Sequence, residues 1–289
     1  MTLGESELIL NPDGSIYHLN LLPSDISDTI ITVGDPERVQ SVSKYFDSIE
    51  VKKERREFRT HTGSYKGKRL TVLSTGIGTD NIDIVFNELD ALANIDFKTR
   101  KVKECKTQLN FIRIGTSGAI QPDIPVDSFL LSSIAIGLEG LLHFYESEGI
   151  RNLNLEKKLV SSLKWEGFGI HPYAVNCNEE LAHKMVSPQM QLGITATNSG
   201  FYGPQGRTLR ITPRLKDFTK ELSSFSFDDR PITNLEMETA GIYGLAKLHG
   251  HRAISLNAIL ANRITGEFSS SGFQTVDKLI RYTLDKLVS

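Results

Sequence analysis

The segment FIRIGTSGAIQP (residues 111–122) contains a charge whose surroundings demand a partner. It places a permanent cation, Arg113, inside a short apolar run that predicts a buried strand, and two hydroxyl groups held between glycines follow at once. A buried charge is costly unless an opposite charge pairs with it. Either a carboxylate of the protein or a negatively charged ligand must therefore face Arg113, and the sequence alone leaves both open.

Three predicted strands end in turns that contain glycine. These turns are VGDPER (33–38), STGIGTDN (74–81) and RIGTSGA (113–119). In α/β sheets, ligands bind beyond the carboxyl ends of the strands, where glycine lets them approach the backbone and helix N-termini favour anions. Gly34, Arg38, Arg113 and Thr116 are therefore predicted to form a phosphate cradle. The alternative is that these glycines only form turns and these arginines only make structural ion pairs.

Two glutamates in TNLEMETAGIYGLA (233–246) could bind a sugar. Glu236 and Glu238 lie two residues apart, so on an extended chain both point to one side and Met237 points to the other. Two carboxylates on one side can accept hydrogen bonds from neighbouring hydroxyl groups, such as those of a ribose. Acidic residues are equally at home at the N-terminus of a helix, so a purely structural role stays open.

A third group of polar residues lies in FYGPQGR (201–207). Gln205 and Arg207 together offer several hydrogen-bond donors and one acceptor, which suits the imide or amide edge of a heterocycle. Phe201 could stack on such a ring. Taken by itself, the same pattern is also that of an ordinary polar turn.

The elements that must position these residues alternate along the chain. Predicted strands cover 29–33, 69–75, 111–114, 127–136, 192–197, 234–238 and 252–261. Predicted helices cover 36–46, 81–92, 154–165, 213–225, 238–250 and 273–289. This alternation predicts a mixed or parallel sheet with helices on both faces. The basic run 98–106 is expected to be a solvated loop or helix face, and the Gly/Ser-rich segment 265–273 either a plain loop or a mobile lid.

Composition excludes several classes of protein. The 289-residue chain has a formal net charge of −2, which argues against a general nucleic-acid binder. Its two cysteines, Cys105 and Cys177, lie far apart and suggest reduced thiols rather than a disulfide or zinc site. No apolar run approaches membrane-spanning length and the N-terminus lacks a signal pattern, so we expect a soluble protein of the cytoplasm with no membrane partner.

Several motifs occur together in an order that resembles the nucleoside phosphorylase I family, and most of all its uridine phosphorylase branch. They are VGDPERV, RREF, STGIG, RIGTSGAIQP, LHF, FYGPQGR, NLEMETAGIYGLA and ILANR. The resemblance runs from about His18 to the C-terminal helix. It implies one α/β domain over residues 1–289, in three αβα layers around a mixed, partly barrel-like sheet. Residues 1–17 would be an N-terminal extension, partly disordered.

The resemblance also implies a role for individual residues. The phosphate ligands would be Gly34, Arg38, Arg113, Thr116 and, from the neighbouring subunit, Arg56. The ribose contacts would be Glu236, Met237, Glu238 and His18, the last reaching across a dimer interface toward the 5′-hydroxyl. Uracil would be held by Phe201, Gln205 and Arg207, with Arg263 supporting Arg207. The catalytic groups of this scheme are Arg38, Arg56, Arg113, Gln205 and Arg207.

The implied partners are small molecules and further copies of the chain. The resemblance implies dimers that share their active sites, assembled into a hexamer as a trimer of dimers, and it implies no nucleic-acid partner. No cofactor is expected apart from inorganic phosphate as co-substrate and a K⁺ ion at the dimer interface, partly held by Glu57. Near that loop, this sequence has Thr79-Asp80-Asn81 where bacterial relatives commonly have Gly-Pro-Ser.

The implied activity is that of a pentosyltransferase in nucleoside catabolism and pyrimidine salvage. Uridine and phosphate would be converted reversibly to uracil and ribose 1-phosphate. Purine-specific members carry an Asp after the last core strand as a general acid, whereas this sequence reads Ala261-Asn262-Arg263. Two alternatives remain: a purine or methylthioadenosine phosphorylase or nucleosidase of the same family, and a nucleoside-binding protein without catalysis.

Overall fold

Strands and helices alternate along the chain in a computed structural model that describes residues 2–163 and 169–289. The strands are β1 (Thr29–Val33), β2 (Ser48–Arg55), β3 (Phe58–Tyr65), β4 (Lys68–Ser74), β5 (Ile95–Asp96), β6 (Lys101–Val102), β7 (Asn110–Ala119), β8 (Phe129–Gly137), β9 (Tyr173–Asn176), β10 (Met190–Thr197), β11 (Ser226–Phe227), β12 (Arg230–Glu236) and β13 (Arg252–Asn262). The helices are α1 (Pro36–Ser43), α2 (Thr79–Asn94), α3 (Leu153–Leu163), α4 (Glu179–Met185), α5 (Phe218–Ser224), α6 (Thr239–Leu248) and α7 (Gly272–Val288).

One mixed sheet holds most of these strands. Its order is β11-β12-β10-β8-β13-β7-β1-β4-β3-β2, with β9 beside β8. β12 also pairs with β7, antiparallel, through Asn234↔Ala119 and Leu235↔Gly118. This second pairing joins β7, β12, β10, β8 and β13 into a ring that closes over only two residue pairs. The α/β architecture with a large mixed sheet is confirmed, and its barrel-like part is a ring of strands rather than a true barrel.

Buried apolar strands explain why the centre of the sheet forms. All five residues of β1 are buried, as expected for a strand covered on both faces. Helices α2 and α6 pack against each other, while α7 packs against α1, α4 and β13. The apolar stripe of α7, which includes Leu279, Ile280 and Leu284, is buried, so its pattern matches the helical period. The helices therefore flank the sheet and leave the ends of its strands for other residues.

The segment RIGTSGA differs from the prediction, because it is part of a strand and not a turn. β7 continues to Ala119 and pairs with β13 throughout, with Gly115 opposite Asn257 and Thr116 opposite Ala258. A Cβ atom at Gly115 would lie 1.7 Å from Nη1 of Arg113. The glycine therefore makes room for the arginine side chain two residues earlier on the same face of the strand.

Other predicted boundaries differ by a few residues, and some elements were missed. The hairpin β2–β3 was not predicted. β2 lies at the edge of the sheet and alternates exposed and half-buried residues, whereas β3 lies one strand further in and buries Phe58, Thr60 and Thr62 among polar neighbours. β9 and the short helix α4 were also missed, and the basic run 98–106 contains the exposed strand β6. Predicted helix 154–165 corresponds to α3, and its residues 164–165 lie outside the described residues.

The N-terminal segment packs against the rest of the chain over its described residues, 2–17. Leu8 and Ile16 are buried, and the Arg100 side chain donates hydrogen bonds to the carbonyl oxygens of Leu3 and Gly4. Two apolar side chains of this segment therefore pack in the core, and the partial disorder expected from the sequence stays a prediction. Residue 1 lies outside the described residues.

Two remaining features concern the surroundings of the protein. In the part of the chain that the structure describes, no helix is long and apolar enough to cross a membrane. Cys105 is exposed, Cys177 is buried, and both are free thiols.

Candidate active site

A cavity of about 730 Å³ opens where several elements of the sheet end. It is bordered by the carboxyl ends of β1, β4, β7, β12 and β13 and by the segment after β10. The predicted site residues that line it are Gly34, Arg38, Glu57, Arg113, Thr116, Phe201, Gln205, Arg207, Glu236, Met237 and Glu238. Residues from positions 34 to 238 are thus brought together in one place. His18, Arg56 and Arg263 do not line this cavity.

Arg113 is neutralised by carboxylates of the protein itself. Its Nη2 atom lies 2.5 Å from Oε2 of Glu238 and 3.2 Å from Oε2 of Glu236. Its Nη1 atom donates to Oδ1 of Asn257 at 3.1 Å. Arg113 therefore has internal counterions, and its predicted contact with phosphate stays a prediction. The opening alternative is resolved in favour of an internal partner, although Arg113 still borders the cavity.

The two glutamates are held firmly by backbone groups. Oε1 of Glu238 accepts a hydrogen bond from the N–H of Gly78 at 2.8 Å, in the turn before α2. Glu236 accepts hydrogen bonds from the N–H groups of Glu238 and Thr239 and from the hydroxyl of Thr197. Glu236 therefore satisfies free N–H groups at the start of α6, as an acidic residue there is expected to do. Both carboxylates point to one side, as the two-residue spacing predicts.

Opposing effects set the pKa values of this buried cluster. Burial raises the pKa of Glu238; Arg113 opposes the shift, Glu236 reinforces it, and the net pKa is raised. Burial acts to lower the pKa of Arg113, but the two glutamates outweigh it and the net pKa is raised. Arg113 is therefore a permanent cation at any physiological pH. Its charge is in contact with the two buried carboxylates.

Arg38 presents a contrasting environment in the same cavity. It lies in the first turns of α1, whose start is fixed by Pro36 and by the Asp35 side chain accepting from the N–H of Glu37. The Arg38 side chain is half-buried and has no hydrogen-bond or ion-pair partner among residues 2–163 and 169–289. Burial, followed by the nearby charge of Arg113, lowers its pKa. An anion beside Arg38 would relieve both effects.

The cavity is also lined by the glutamine–arginine pair, Gln205 and Arg207. Oε1 of Gln205, which is 3% exposed, accepts a hydrogen bond from Nη1 of Arg207 at 2.6 Å. The Arg207 guanidinium lies 3.7 Å from the centre of the Phe201 ring and also donates to the Phe201 carbonyl. Arg263 donates to the carbonyl oxygen of Gln205 at 3.1 Å, so it braces the segment that carries the pair.

The charge of Arg207 has no carboxylate in contact with it among the described residues. Burial and the nearby cation Arg263 lower its pKa to about 10. Arg207 is still protonated near neutral pH, so two cations lie close together at this end of the cavity. Such a place favours a ligand on which negative charge is present or develops.

Two predicted residues lie away from this cavity. Arg56 is exposed at the turn between β2 and β3, in a left-handed conformation with φ of 55°. His18 is half-buried, and its Nδ1 atom lies 2.6 Å from Oε1 of Glu88. Neither side chain can serve this chain's own cavity from its present position. Their predicted roles require a neighbouring subunit.

Glu57 follows Arg56 and does line the cavity. Its Cγ atom lies close to Gly76, where an added Cβ would meet it at 3.0 Å. Within the described ranges, no group of three or more His, Cys, Asp and Glu residues is arranged to hold a metal ion. This chain therefore supplies one carboxylate near the expected K⁺ position, and the cation remains a prediction.

Sequence reasoning missed several residues that shape the site. Asn257 and Ser255 on β13 hold Arg113, and Gly78 holds Glu238. Phe268, which follows β13 at a distance of six residues, also lines the cavity. A polar pair spaced by two in the apolar strand RAISLNAILAN was the available signal for Ser255 and Asn257, since such side chains share one face of a strand.

Known proteins share both the sequence and the fold. Residues 28–288 match the family described as the phosphorylase superfamily. A uridine phosphorylase of Thermococcus kodakarensis is 32% identical over 266 residues, covering 90% of this chain and 82% of the relative. A purine nucleoside phosphorylase of the DeoD type from an Exiguobacterium species is 27% identical over 274 residues, covering 94% and 97%.

A solved structure gives the same result. The crystal structure of a Trypanosoma brucei nucleoside phosphorylase, described as showing uridine phosphorylase activity, superposes with a TM-score of 0.88 at 29% identity. The superposition covers 97% of this chain and 99% of that one. The match therefore takes in nearly all of the sheet and its flanking helices. The chain belongs to the phosphorylase superfamily.

Proposed function

We propose that this protein is a uridine phosphorylase, a pentosyltransferase that converts uridine and phosphate to uracil and ribose 1-phosphate. The observation that carries the proposal is the set of groups that line one cavity. They are an unpaired guanidinium (Arg38), a glutamine–arginine pair (Gln205 and Arg207) and the fixed carboxylates of Glu236 and Glu238. In this proposal phosphate meets the first, the base meets the second, and the ribose lies beside the carboxylates.

Phosphate binds on the side of Arg38. The Arg38 guanidinium lacks an internal partner within the described residues, and Gly34 and Thr116 line the same cavity. Arg113 adds only a weak positive potential there, because Glu238 and Glu236 already balance its charge. A second strong cation must therefore come from elsewhere, and Arg56 of the neighbouring subunit supplies it in this proposal.

Ribose binds over Glu238 and Met237. Glu238 keeps its carboxylate in one position through Arg113 and the N–H of Gly78, so it can accept hydrogen bonds from sugar hydroxyls without reorganising. Glu236 is used mostly by the backbone of α6 and supports Glu238 rather than the sugar. Phosphate would attack C1′ while the bond to the base lengthens, so positive charge builds on a sugar held beside a carboxylate.

Uracil binds at Gln205 and Arg207. Negative charge develops on the departing base, and in this proposal Arg207, whose guanidinium lies 3.7 Å from the centre of the Phe201 ring, stabilises it while Phe201 packs on the base. Positioning and electrostatic stabilisation carry the rate, so no side-chain nucleophile is needed. A purine would need a general acid, and the amide of Asn262 is used elsewhere: it donates to the carbonyl oxygens of Gln121 and Ile124.

The proposed enzyme is a cytoplasmic dimer with shared sites, assembled into a hexamer as a trimer of dimers. His18 would reach the ribose 5′-hydroxyl and Arg56 the phosphate of the partner's site, since neither lines the cavity of its own chain. Mixing Arg56→Ala protein with Arg207→Leu protein should restore activity, because one of the two sites in a mixed dimer is intact. A mixture that stays inactive after exchange of subunits would contradict the shared site.

A K⁺ ion near Glu57 is part of the same proposal. Glu57 of each subunit would supply a carboxylate at the interface, where the ion would stabilise neighbouring backbone oxygens. Activity in potassium chloride should exceed activity in tetramethylammonium chloride of equal ionic strength. The Glu57→Gln variant should lose that difference.

The deciding experiment is release of free base from a panel of nucleosides, with and without phosphate. Uridine should be cleaved only when phosphate is present, with ribose 1-phosphate as the second product. Cleavage of inosine or methylthioadenosine instead would identify a purine enzyme, and cleavage in water alone would identify a nucleosidase. Binding without turnover would identify a nucleoside-binding protein, and each of these results would overturn the proposal.

A further inference from the structure

The loop between β13 and α7, residues 263–271, carries an aromatic ring over the cavity. Phe268 is 77% exposed and lines the cavity. Its backbone pairs with Ala261, and the carbonyl oxygen of Glu267 accepts a hydrogen bond from the N–H of Asn262. The tip of the loop therefore folds back on the end of β13. A large apolar side chain so exposed beside a ligand cavity calls for a ligand to cover it.

The C-terminal end of this loop is tied to a single carboxylate. Asp127 accepts hydrogen bonds from the hydroxyls of Ser269 at 2.6 Å, Ser271 at 2.9 Å and Thr275 at 2.6 Å. These hydrogen bonds lower the pKa of Asp127, so it is ionised near neutral pH. Hydrogen bonds to an ionised acceptor are shorter and stronger than those between neutral groups.

Asp127 itself is fixed to the ring of strands. It stands two residues before β8, and its N–H donates to the carbonyl oxygen of Ile259 on β13 at 2.8 Å. Asp127 and its hydrogen bonds, here called the clamp, thus join the end of the sheet to Ser269, the residue that directly follows Phe268. Ser271, at the start of α7, makes no capping hydrogen bond to that helix with its own side chain, so Asp127 also places a negative charge near the helix N-terminus.

The backbone conformation of Asp127 is an independent indication that its side chain has a role. Its φ is 64°, in the left-handed region where glycine is the residue of lowest cost. An aspartate in that conformation costs stability that glycine would not. The three hydrogen bonds from hydroxyl groups offset that cost and explain why an aspartate occupies this position.

We propose that Asp127 is a positioning residue, which clamps loop 263–271 so that Phe268 covers the nucleoside once it is bound. The inference rests on the proposed function, since it assigns this loop to the nucleoside and not to phosphate. Asp127 touches no substrate and acts through Ser269 and Phe268. Covering the cavity excludes water from the reacting bond and orders the nucleoside.

The direct test replaces Asp127 with glycine, which relieves the backbone and removes the clamp. Asp127→Gly should raise the KM for uridine about tenfold, because the loop is no longer held in place and the loss is comparable to that of one charge-assisted hydrogen bond. The KM for phosphate should change less than about twofold. An unchanged KM for uridine would overturn the proposal. So would an equal rise of both KM values, because a general loss of structure would produce it.

Two alanine variants form a matched pair. Ser269 and Thr275 donate to the same oxygen of Asp127 at the same distance, 2.6 Å, but only Ser269 lies in the loop beside Phe268. Ser269→Ala should raise the KM for uridine, whereas Thr275→Ala, within α7, should lower the melting temperature with little change in that KM. Equal effects of the two variants on KM would show a merely structural role.

A double-mutant cycle tests whether the effect passes through the aromatic ring. Phe268→Ala should itself raise the KM for uridine, and adding Asp127→Gly should then change it no further. Additive effects would overturn the proposed route. Uridine binding by calorimetry, measured without phosphate, keeps the test separate from the proposed function: wild-type protein that fails to bind or cleave uridine refutes that function, whereas wild-type activity with a silent Asp127→Gly variant refutes only the clamp.

Discussion

Two arginines border the same cavity but have opposite electrostatic environments. Arg113 is 5% exposed, with Glu238 and Glu236 against its guanidinium, and its net pKa is raised. Arg38 is half-buried without a partner in the described chain, and its pKa is lowered. The difference shows which cation is part of the framework and which one is available to a ligand.

The lesson is that burial alone does not identify a ligand-binding charge. The sequence draws attention to Arg113 because it lies in an apolar strand, but an isolated buried charge is so costly that the fold supplies its own counterions. Arg38 attracts less attention at a helix start, yet its charge is the one left unbalanced. An arginine that lines a cavity with no carboxylate in contact is the better candidate for an anion site.

The largest expected effect comes from removing the framework cation. Arg113→Leu leaves Glu236 and Glu238 buried together without their counterion, which should lower the free energy of unfolding at neutral pH by about 3–5 kcal/mol. Urea denaturation measures it. Arg38→Leu is the matched control and should not reduce stability, because that cation has no partner within the described chain to lose. Equal stability of the two variants would remove the distinction between the two arginines.

The same variant gives a pH test. A carboxylate whose pKa is raised in the folded state is favoured when protonated, so its penalty grows as the pH rises through that pKa and fades as the pH falls. Burial already raises the pKa of Glu238, and loss of Arg113 raises it further. The stability deficit of Arg113→Leu relative to wild type should therefore be largest at neutral pH and shrink on acidification. A deficit independent of pH would contradict the buried pair.

The same two arginines show how much of the fold and of the cavity the sequence can predict. The resemblance and the spacing of motifs predicted the mixed sheet and half of the residues that line the cavity, because the motifs that contain Gly34, Arg38, Gln205 and Arg207 are recognisable in the sequence. They could not predict that Arg113 pairs with Glu238, 125 residues later. Local patterns report burial and periodicity, whereas the pairing depends on how distant strands meet in the ring.

The same limit explains the misread glycines and the missed hairpin. In RIGTSGA, a glycine next to hydroxyl residues has the composition of a turn, and only the path of the Arg113 side chain shows that Gly115 clears space within a strand. Strand β2 is rich in charge because it lies at the sheet edge, where no core imposes an apolar pattern, and the buried face of β3 is mostly threonine and glycine. Both errors come from three-dimensional neighbours that the local sequence does not contain.

The next largest effect concerns the cation of the glutamine–arginine pair. Arg207→Leu should reduce kcat by about two to three orders of magnitude, because one oriented donor to a developing anion is worth roughly 3–4 kcal/mol. The KM for phosphate should stay near that of wild type. Steady-state kinetics with both substrates varied measures the two constants separately. A parallel loss of phosphate affinity would show that Arg207 does not serve the base alone.

Removal of the available cation should act on phosphate. Arg38→Met deletes a charged donor worth about 1.5–3 kcal/mol, so the KM for phosphate should rise by about one to two orders of magnitude while uridine binding is retained. Calorimetric titration with phosphate checks the affinity directly. If phosphate affinity falls in Arg113→Lys and not in Arg38→Met, the comparison between the two arginines is reversed.

The smallest expected effect tests whether Arg113 needs the space that Gly115 leaves for its side chain. A methyl group at Gly115 would overlap Nη1 of Arg113, and although an arginine tip is flexible, this one cannot move without leaving Glu238. Gly115→Ala should therefore cost about 1–3 kcal/mol of unfolding free energy, as overpacking typically does. At Gly34 an added Cβ would meet only the carbonyl oxygen of Gly76, at an ordinary 3.5 Å, so Gly34→Ala is the control and should cost less than about 1 kcal/mol. If the two alanines were equally harmless, the Arg113 side chain would have another position open to it, and its carboxylates would not define its place in the cavity.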